Sequence, residues 1–172
     1  ILHIFFGNGY TCPFGGRDLG DGMPKYLNTG DTPVFKKRYN LFNLNIAKNI
    51  KTDFIILAEG YMDVIALYQG GFGNAVASLG TSFAPEHSRL LKRYTQKVVI
   101  SYDSDAAGRN AAVKAAAILK KDGIKVKVLK ISGAKDPDEL IKKFGPEAYQ
   151  EAINSAIIFP IYSPFSVCST WN

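Results

Sequence analysis

Two apolar runs in this sequence end in carboxylates, and a further pair of acids follows a third. FIILA (54–58) leads into Glu59, with Asp63 four residues on; VVISY (98–102) leads into Asp103 and Asp105; KVKVLKI (125–131) is followed by Asp136 and Asp138 in KDPDEL. Carboxylates crowded at one place repel and hold their protons more tightly. A hard cation removes that conflict. Magnesium takes oxygen ligands, keeps several waters, and so leaves positions that substrate phosphates can fill. The acids therefore point to metal-assisted phosphate chemistry. Each also has a structural role open to it. Asp105 before AAGRN, and Asp136 or Asp138 beside Pro137, can cap helices. Asp63 can sit in a first helical turn, where negative charge is favoured. No Ser/His/Asp triad or cysteine nucleophile is apparent; His3 has no partner motif, and His87 in PEHSRLLKRY reads as a surface helix residue.

Bringing these acids together is a task for the elements that carry them. Between residues 54 and 131, FIILA, NAVASL (74–79), VVISY and KVKVLKI read as strands, and MDVIALYQGG (62–71), PEHSRLLKRY (85–94) and AAGRNAAVKAAAILKKDG (106–123) as helices between them. The last has apolar residues at 111, 112, 115, 118 and 119, one helical face, and ends in lysines and Gly123. Strands separated by helices of this length predict crossover units and a parallel sheet. FIILA and VVISY carry almost no polar residue, as strands covered on both faces should, whereas the lysines of KVKVLKI place it at an edge. In a 2-1-3-4 strand order the ends of the first and third strands are adjacent, so Glu59 meets Asp103 and Asp105 where ligands bind in open α/β sheets. Gly60 and Gly80 permit close backbone approach or serve turns with positive φ. DPDELIKKFG and PEAYQEAINSA read as two short helices.

The remaining features bound the class. With 172 residues, 47% hydrophobic and 21% charged, the chain has the size and composition of one folded domain with a small appendage, which excludes disordered and fibrous classes. Net charge is +6, favouring an anionic partner such as nucleic acid. Cys12 and Cys168 are too few for a disulfide framework or a paired-cysteine zinc module, so a reducing, intracellular setting is expected. No apolar run approaches the roughly 20 residues that span a bilayer. A start at Ile1 rather than Met leads to the expectation of a piece of a longer protein or a processed product. Residues 1–50 are rich in glycine, proline and asparagine and read as turns and short strands, with LFNLNIAKN (41–49) a short helix. Residues 51–156 hold the sheet. The stretch 157–172 is apolar, broken by prolines and without readable period.

EGYMD (59–63), ASLGTS (77–82), YDSDAAGRNAA (102–112) and KDPDEL (135–140), with FGGR (14–17), PKYLN (24–28) and TPVFKKRYNLF (32–42) upstream, resemble bacterial DnaG-type DNA primases over about residues 14 to 156. The resemblance implies an α/β Toprim domain, a four-stranded parallel sheet flanked by helices, behind a short irregular α+β remnant of the primase amino-terminal core subdomain. It implies RNA primer synthesis from nucleoside triphosphates (NTPs) on a single-stranded DNA template, with Glu59, Asp103 and Asp105 as catalytic acids. Asp63, Asp136 and Asp138 would complete a site for Mg2+ or Mn2+. Arg17, Lys25 and Lys37 would contact nucleotide phosphates or template. Expected partners are the template, NTPs, the RNA–DNA primer duplex and, through a further domain, a replicative helicase, in the bacterial cytoplasm and without a membrane. Two departures stand out: Tyr39 replaces a basic residue, and Ser104 stands where the family often has glycine. Other readings of the same acids are nuclease or topoisomerase chemistry, a non-catalytic metal-dependent nucleic-acid binder, and, more distantly, a receiver domain.

Overall fold

Alternate residues of a strand face opposite sides of its sheet, and in this chain both sides are apolar. Ile55, Leu57, Val76, Val98, Ile100, Val126 and Val128 belong to one buried cluster, and Ile56, Ala58, Ala75, Ala77 and Val99 to another. Such strands require helices on both faces. The structure, a computed structural model, describes residues 2–5, 14–17, 26–28, 30–33 and 35–159.

The first part contains β1 (Leu2–Phe5), β2 (Phe14–Arg17) and β3 (Tyr26–Asn28), paired antiparallel in that order. A 3-10 turn (Lys37–Tyr39) and the single-turn α1 (Leu44–Ala47) follow. The second sheet holds β4 (Ile55–Ala58), β5 (Ala75–Ala77), β6 (Lys97–Ser101), β7 (Lys125–Val128) and β8 (Ile157–Ile158), in the order β5-β4-β6-β7-β8. Its first four strands are parallel and follow the anticipated 2-1-3-4 order. Two expectations are corrected here. The sheet has five strands, because Ile157 and Ile158 pair antiparallel with β7; consequently KVKVLKI is not an edge. A two-residue strand is too short to show a period, which is why the sequence hid it.

Four helices complete the layers: α2 (Tyr61–Gln69), α3 (Pro85–Leu91), α4 (Ala106–Lys121) and α5 (Pro137–Asn154). Leu91 of α3 and Ala112, Ala115, Ala116 and Leu119 of α4 join Leu44 and Ala47 of α1 on the first face; Val64 and Leu67 of α2 and Leu140, Tyr149 and Ile153 of α5 cover the second. The two short helices expected after Asp136 are both present, as segments of α5 separated at Gly145 (φ 84°, ψ 170°) before Pro146. The Tyr149 hydroxyl, fully buried, donates to Ser101 Oγ at 2.9 Å, fixing α5 beneath the end of β6. Among the described residues no helix is long and apolar enough to cross a membrane.

The upstream segment is stitched to this sheet. Phe42 forms an antiparallel bridge with Ala77, and Asn43, in a left-handed conformation (φ 64°), donates its side-chain amide to the carbonyls of Gly73 and Ala75. His87 makes a second attachment and is itself a correction, since it is fully buried rather than on the surface. Its Nδ1 accepts from the Ala84 N–H and its Nε2 donates to the Lys37 carbonyl, each at 3.0 Å. That arrangement needs the neutral ring with the proton on Nε2, and burial holds its pKa below the ordinary value. A helical-face reading misses the burial because the partner lies 50 residues upstream. Replacing His87 with Ala removes a packed ring, leaves the Ala84 N–H without its acceptor and reduces the Lys37 carbonyl to its bond from the Asn40 N–H. The expected loss is about 2–4 kcal/mol in urea unfolding, against less than ~0.5 kcal/mol for an exposed helix residue such as Arg89→Ala.

Candidate active site

β4 and β6 lie side by side in parallel register, Ala58 opposite Ser101, so the residues that follow leave the sheet next to one another. From there α2 turns to one face and α4 to the other, which opens a crevice at the carboxyl ends of the strands. Glu59 and Asp103 meet across it: the Asp103 N–H donates to Glu59 Oε2 at 3.3 Å.

The turns into α2, α4 and α5 are each closed by an acid, and the turn into α3 by His87. After β4, Gly60 is extended (φ −126°) and donates its N–H to Asp63 Oδ2 at 3.0 Å. Gly60 is therefore not a positive-φ residue. Gly80 is one (φ 69°), and a Cβ there would meet Asn28 Nδ2 at 2.6 Å, so this glycine serves a turn and a close approach together. That contact also brings the end of β3 to the loop after β5. Following β6, Asp105 caps α4 by accepting from the Gly108 N–H at 2.7 Å. After β7, Asp136 caps α5 by accepting from the Glu139 N–H at 2.7 Å, with the Lys135 ammonium 3.8 Å from its other oxygen. Asp138 pairs with Lys142 at 2.6 Å. The capping roles anticipated for Asp105 and Asp136 are thus real, and each uses one carboxylate oxygen.

The charges act on one another. Asp63, 9% exposed, has its pKa pushed up to about 7, first by burial and then by the charges of Asp103, Asp136 and Asp138, against the opposing Gly60 N–H. Asp103 is raised to about 6, by burial and by Glu59, Asp136 and Asp105, with Lys135 opposing. All six acids singled out from the sequence therefore share one field around the β4–β6 crevice. Among the described residues no three His, Cys, Asp or Glu side chains already surround a single point closely enough to hold an ion. The donor set is carboxylate oxygen throughout, which suits a hard divalent cation and not a zinc site.

The basic candidates are placed less completely. Lys37 opens the 3-10 turn, with its N–H on Asp31 Oδ1 at 3.0 Å and its carbonyl held by His87. Arg17 ends β2, paired with Leu2 and Tyr26. Lys25 lies outside the described residues. Several residues at this edge escaped the sequence reading. Lys135 supplies the cation beside Asp136, Asn28 reaches the loop at Gly80, and Gly108 is forced, since a Cβ there would stand 2.3 Å from the Asp103 carbonyl oxygen. The available signal was position alone: Lys135 adjoins an acid motif, and Gly108 lies three residues after a capping aspartate.

Residues 56–141 match the Toprim-like family model. The chain belongs to the Toprim-like family. Residues 1–48 match the DNA primase catalytic core, N-terminal domain, so the likeness begins upstream of residue 14, where the motifs first showed it. A DNA primase of Clostridium acetobutylicum is 48% identical over 158 residues, 91% of this chain and 26% of that protein. The E. coli primase catalytic core superposes with a TM-score of 0.81 at 38% identity, covering 91% of this chain and 52% of that one. A DnaG primase catalytic domain bound to single-stranded DNA gives 0.76 at 41% identity over 86% and 48%. The chain spans about a quarter of the length of the curated relatives it matches.

Two outcomes follow. Gly108→Ala drives a methyl into the Asp103 backbone and should cost about 1–3 kcal/mol in thermal or urea unfolding, whereas Ala107→Gly should cost no more than about 1. Asp63 holds its proton more tightly folded than unfolded, so its stabilising contribution is complete below about pH 4 and is lost as pH rises to about 7. With a chelator present, wild type should lose stability relative to Asp63→Asn over that interval, by on the order of 4 kcal/mol at most. Urea unfolding at several pH values measures the difference.

Proposed function

We propose that this chain carries the catalytic centre of a DNA primase, joining ribonucleotides into a primer on a single-stranded DNA template. The observation that carries the reading is the bond from the Asp103 N–H to Glu59 across the β4–β6 crevice, at an edge where Asp63 and Asp103 are both raised by neighbouring acids. The primase relatives and a related catalytic domain bound to single-stranded DNA support the same substrates. In this reading residues 1–50 are the remnant of the amino-terminal core subdomain and 51–156 the Toprim domain, to whose sheet Ile157 and Ile158 add β8, and the residues after them have no assigned role.

In this reading Glu59, Asp103 and Asp105 are the principal acids for Mg2+ or Mn2+, with Asp63, Asp136 and Asp138 extending the set. A bound divalent ion would supply positive charge for the α-phosphate and for the pyrophosphate that leaves as the primer 3′-hydroxyl attacks in line. The chain's own residues prepare the place. Glu59 accepts from the Asp103 backbone and so keeps the two strand ends together. Asp105 and Asp136 present charge from helix N-termini that hold them in one orientation. Lys37, Lys25 and Arg17 would meet triphosphate or template oxygens, and the net charge of +6 favours a polyanionic template. The primer duplex would leave along the same edge. A replicative helicase would dock through a further domain, and the protein would act in the bacterial cytoplasm at the replisome.

The test is incorporation of labelled ribonucleotides on single-stranded DNA with Mg2+ or Mn2+. Asp103→Ala and Asp105→Ala should each reduce it by about 100-fold or more, the scale of losing a charge-stabilising group, while Lys37→Ala should mainly raise the concentration of NTP or template required. Cleavage of the DNA in place of synthesis would replace this reading with nuclease chemistry. Metal-dependent DNA binding without synthesis would replace it with the binding module.

A further inference from the structure

We propose that the Ser104 side chain is a positioning residue that ties the loop bearing Asp103 and Asp105 to the loop bearing Asp136 and Asp138, and so sets how the two acid pairs face a divalent cation. This rests on the reading that those acids hold the cation, and it adds a residue to which neither the capping nor the charge pattern assigns a role.

The geometry starts where β6 and β7 part. Their ladder ends with Ile100 opposite Val128, followed by a bond from the Leu129 N–H to the Ile100 carbonyl. The two chains meet again at Ser104. Its N–H donates to the Lys135 carbonyl at 2.8 Å, and its Oγ lies 3.1 Å from that same carbonyl and 3.3 Å from the carbonyl of Ala134. A hydroxyl has one proton to donate, so Oγ is shared between two neighbouring acceptors of one loop. Both sides of the junction are braced. The Arg109 guanidinium donates to the Ser104 carbonyl, and the Lys135 N–H donates to Glu139 Oε2 at 2.7 Å. Ser104 sits between Asp103 and Asp105, and Lys135 directly precedes Asp136. The tie therefore joins backbone positions adjacent to three of the acids.

Electrostatics makes the tie necessary. Each loop carries two carboxylates, and Asp103 feels the charge of Asp136. Without a cation the loops repel, and the bonds at Ser104 hold against that repulsion. The apolar core lies elsewhere: Ser104 is half-buried, outside both hydrophobic clusters. Glycine at this position would keep the N–H bond, lose the hydroxyl and gain backbone freedom. Threonine would keep the hydroxyl.

Two measurements on this chain, with Ser104→Ala, Ser104→Gly and Ser104→Thr, decide the matter. The first is exchange of the residue-104 amide in chelator. It should be about tenfold faster in the Ala and Gly variants and near wild type in the Thr variant. The second is Mn2+ affinity by electron paramagnetic resonance. It should weaken about tenfold with Ala or Gly and recover with Thr. Unchanged exchange and affinity in Ser104→Ala would overturn the proposal. So would faster exchange with unchanged Mn2+ affinity, which would make the hydroxyl structural only. If wild type takes up no Mn2+, or Asp103→Asn binds it as well as wild type does, the reading of the acids fails and the positioning role falls with it. The exchange data would still report whether the tie exists.

Discussion

Parallel pairing of β4 with β6, from Ile55 opposite Val98 to Ala58 opposite Ser101, places two chain ends side by side at a point where the connecting helices depart to opposite faces. The rest of the site depends on that adjacency. A slip of one residue would exchange Ile55 and Leu57 with Ile56 and Ala58 between the two faces, so the shape of each core holds the register. Both apolar faces therefore guard the register that brings Glu59 to Asp103. Tyr149 adds a bond from α5 to Ser101, the last residue of β6. The core and the acids are thus parts of one constraint.

Several acids have two tasks. Asp105 and Asp136 hold the first turns of α4 and α5, and Asp63 closes the turn after β4. Capping stabilises each helix by roughly 1 kcal/mol, while the shared negative field opposes folding wherever Asp63 and Asp103 are made to ionise. The caps keep these side chains oriented despite the repulsion. An acid that folds its own helix is difficult to misplace.

Strands, helix faces and the capping aspartates were legible because they depend on patterns within single elements: apolar runs, the helical spacing at 111–119, and aspartates immediately before helices; the strand order entered as a supposition that the structure matches. The break within α5 was legible from Gly145 followed by Pro146. What stayed hidden depends on contacts between distant segments. His87 is buried against a carbonyl far upstream and Ser104 is bonded to Lys135 on another loop, while Gly108 is fixed by the path of Asp103 within its own turn. β8 is hidden for a different reason, since two residues carry no period. Apart from Gly108, which lies three residues after a capping aspartate, none of these has a signal within a short window of sequence.

The bridge between Phe42 and Ala77 occupies the outer side of β5, while Ile157 and Ile158 occupy the outer side of β7. A parallel sheet of apolar strands with bare sides would offer its unpaired backbone groups to any other extended chain. Residues 41–43, fastened by the Asn43 amide, thus act as a stopper against strand addition and aggregation. The upstream segment protects the solubility of the sheet as well as completing its architecture.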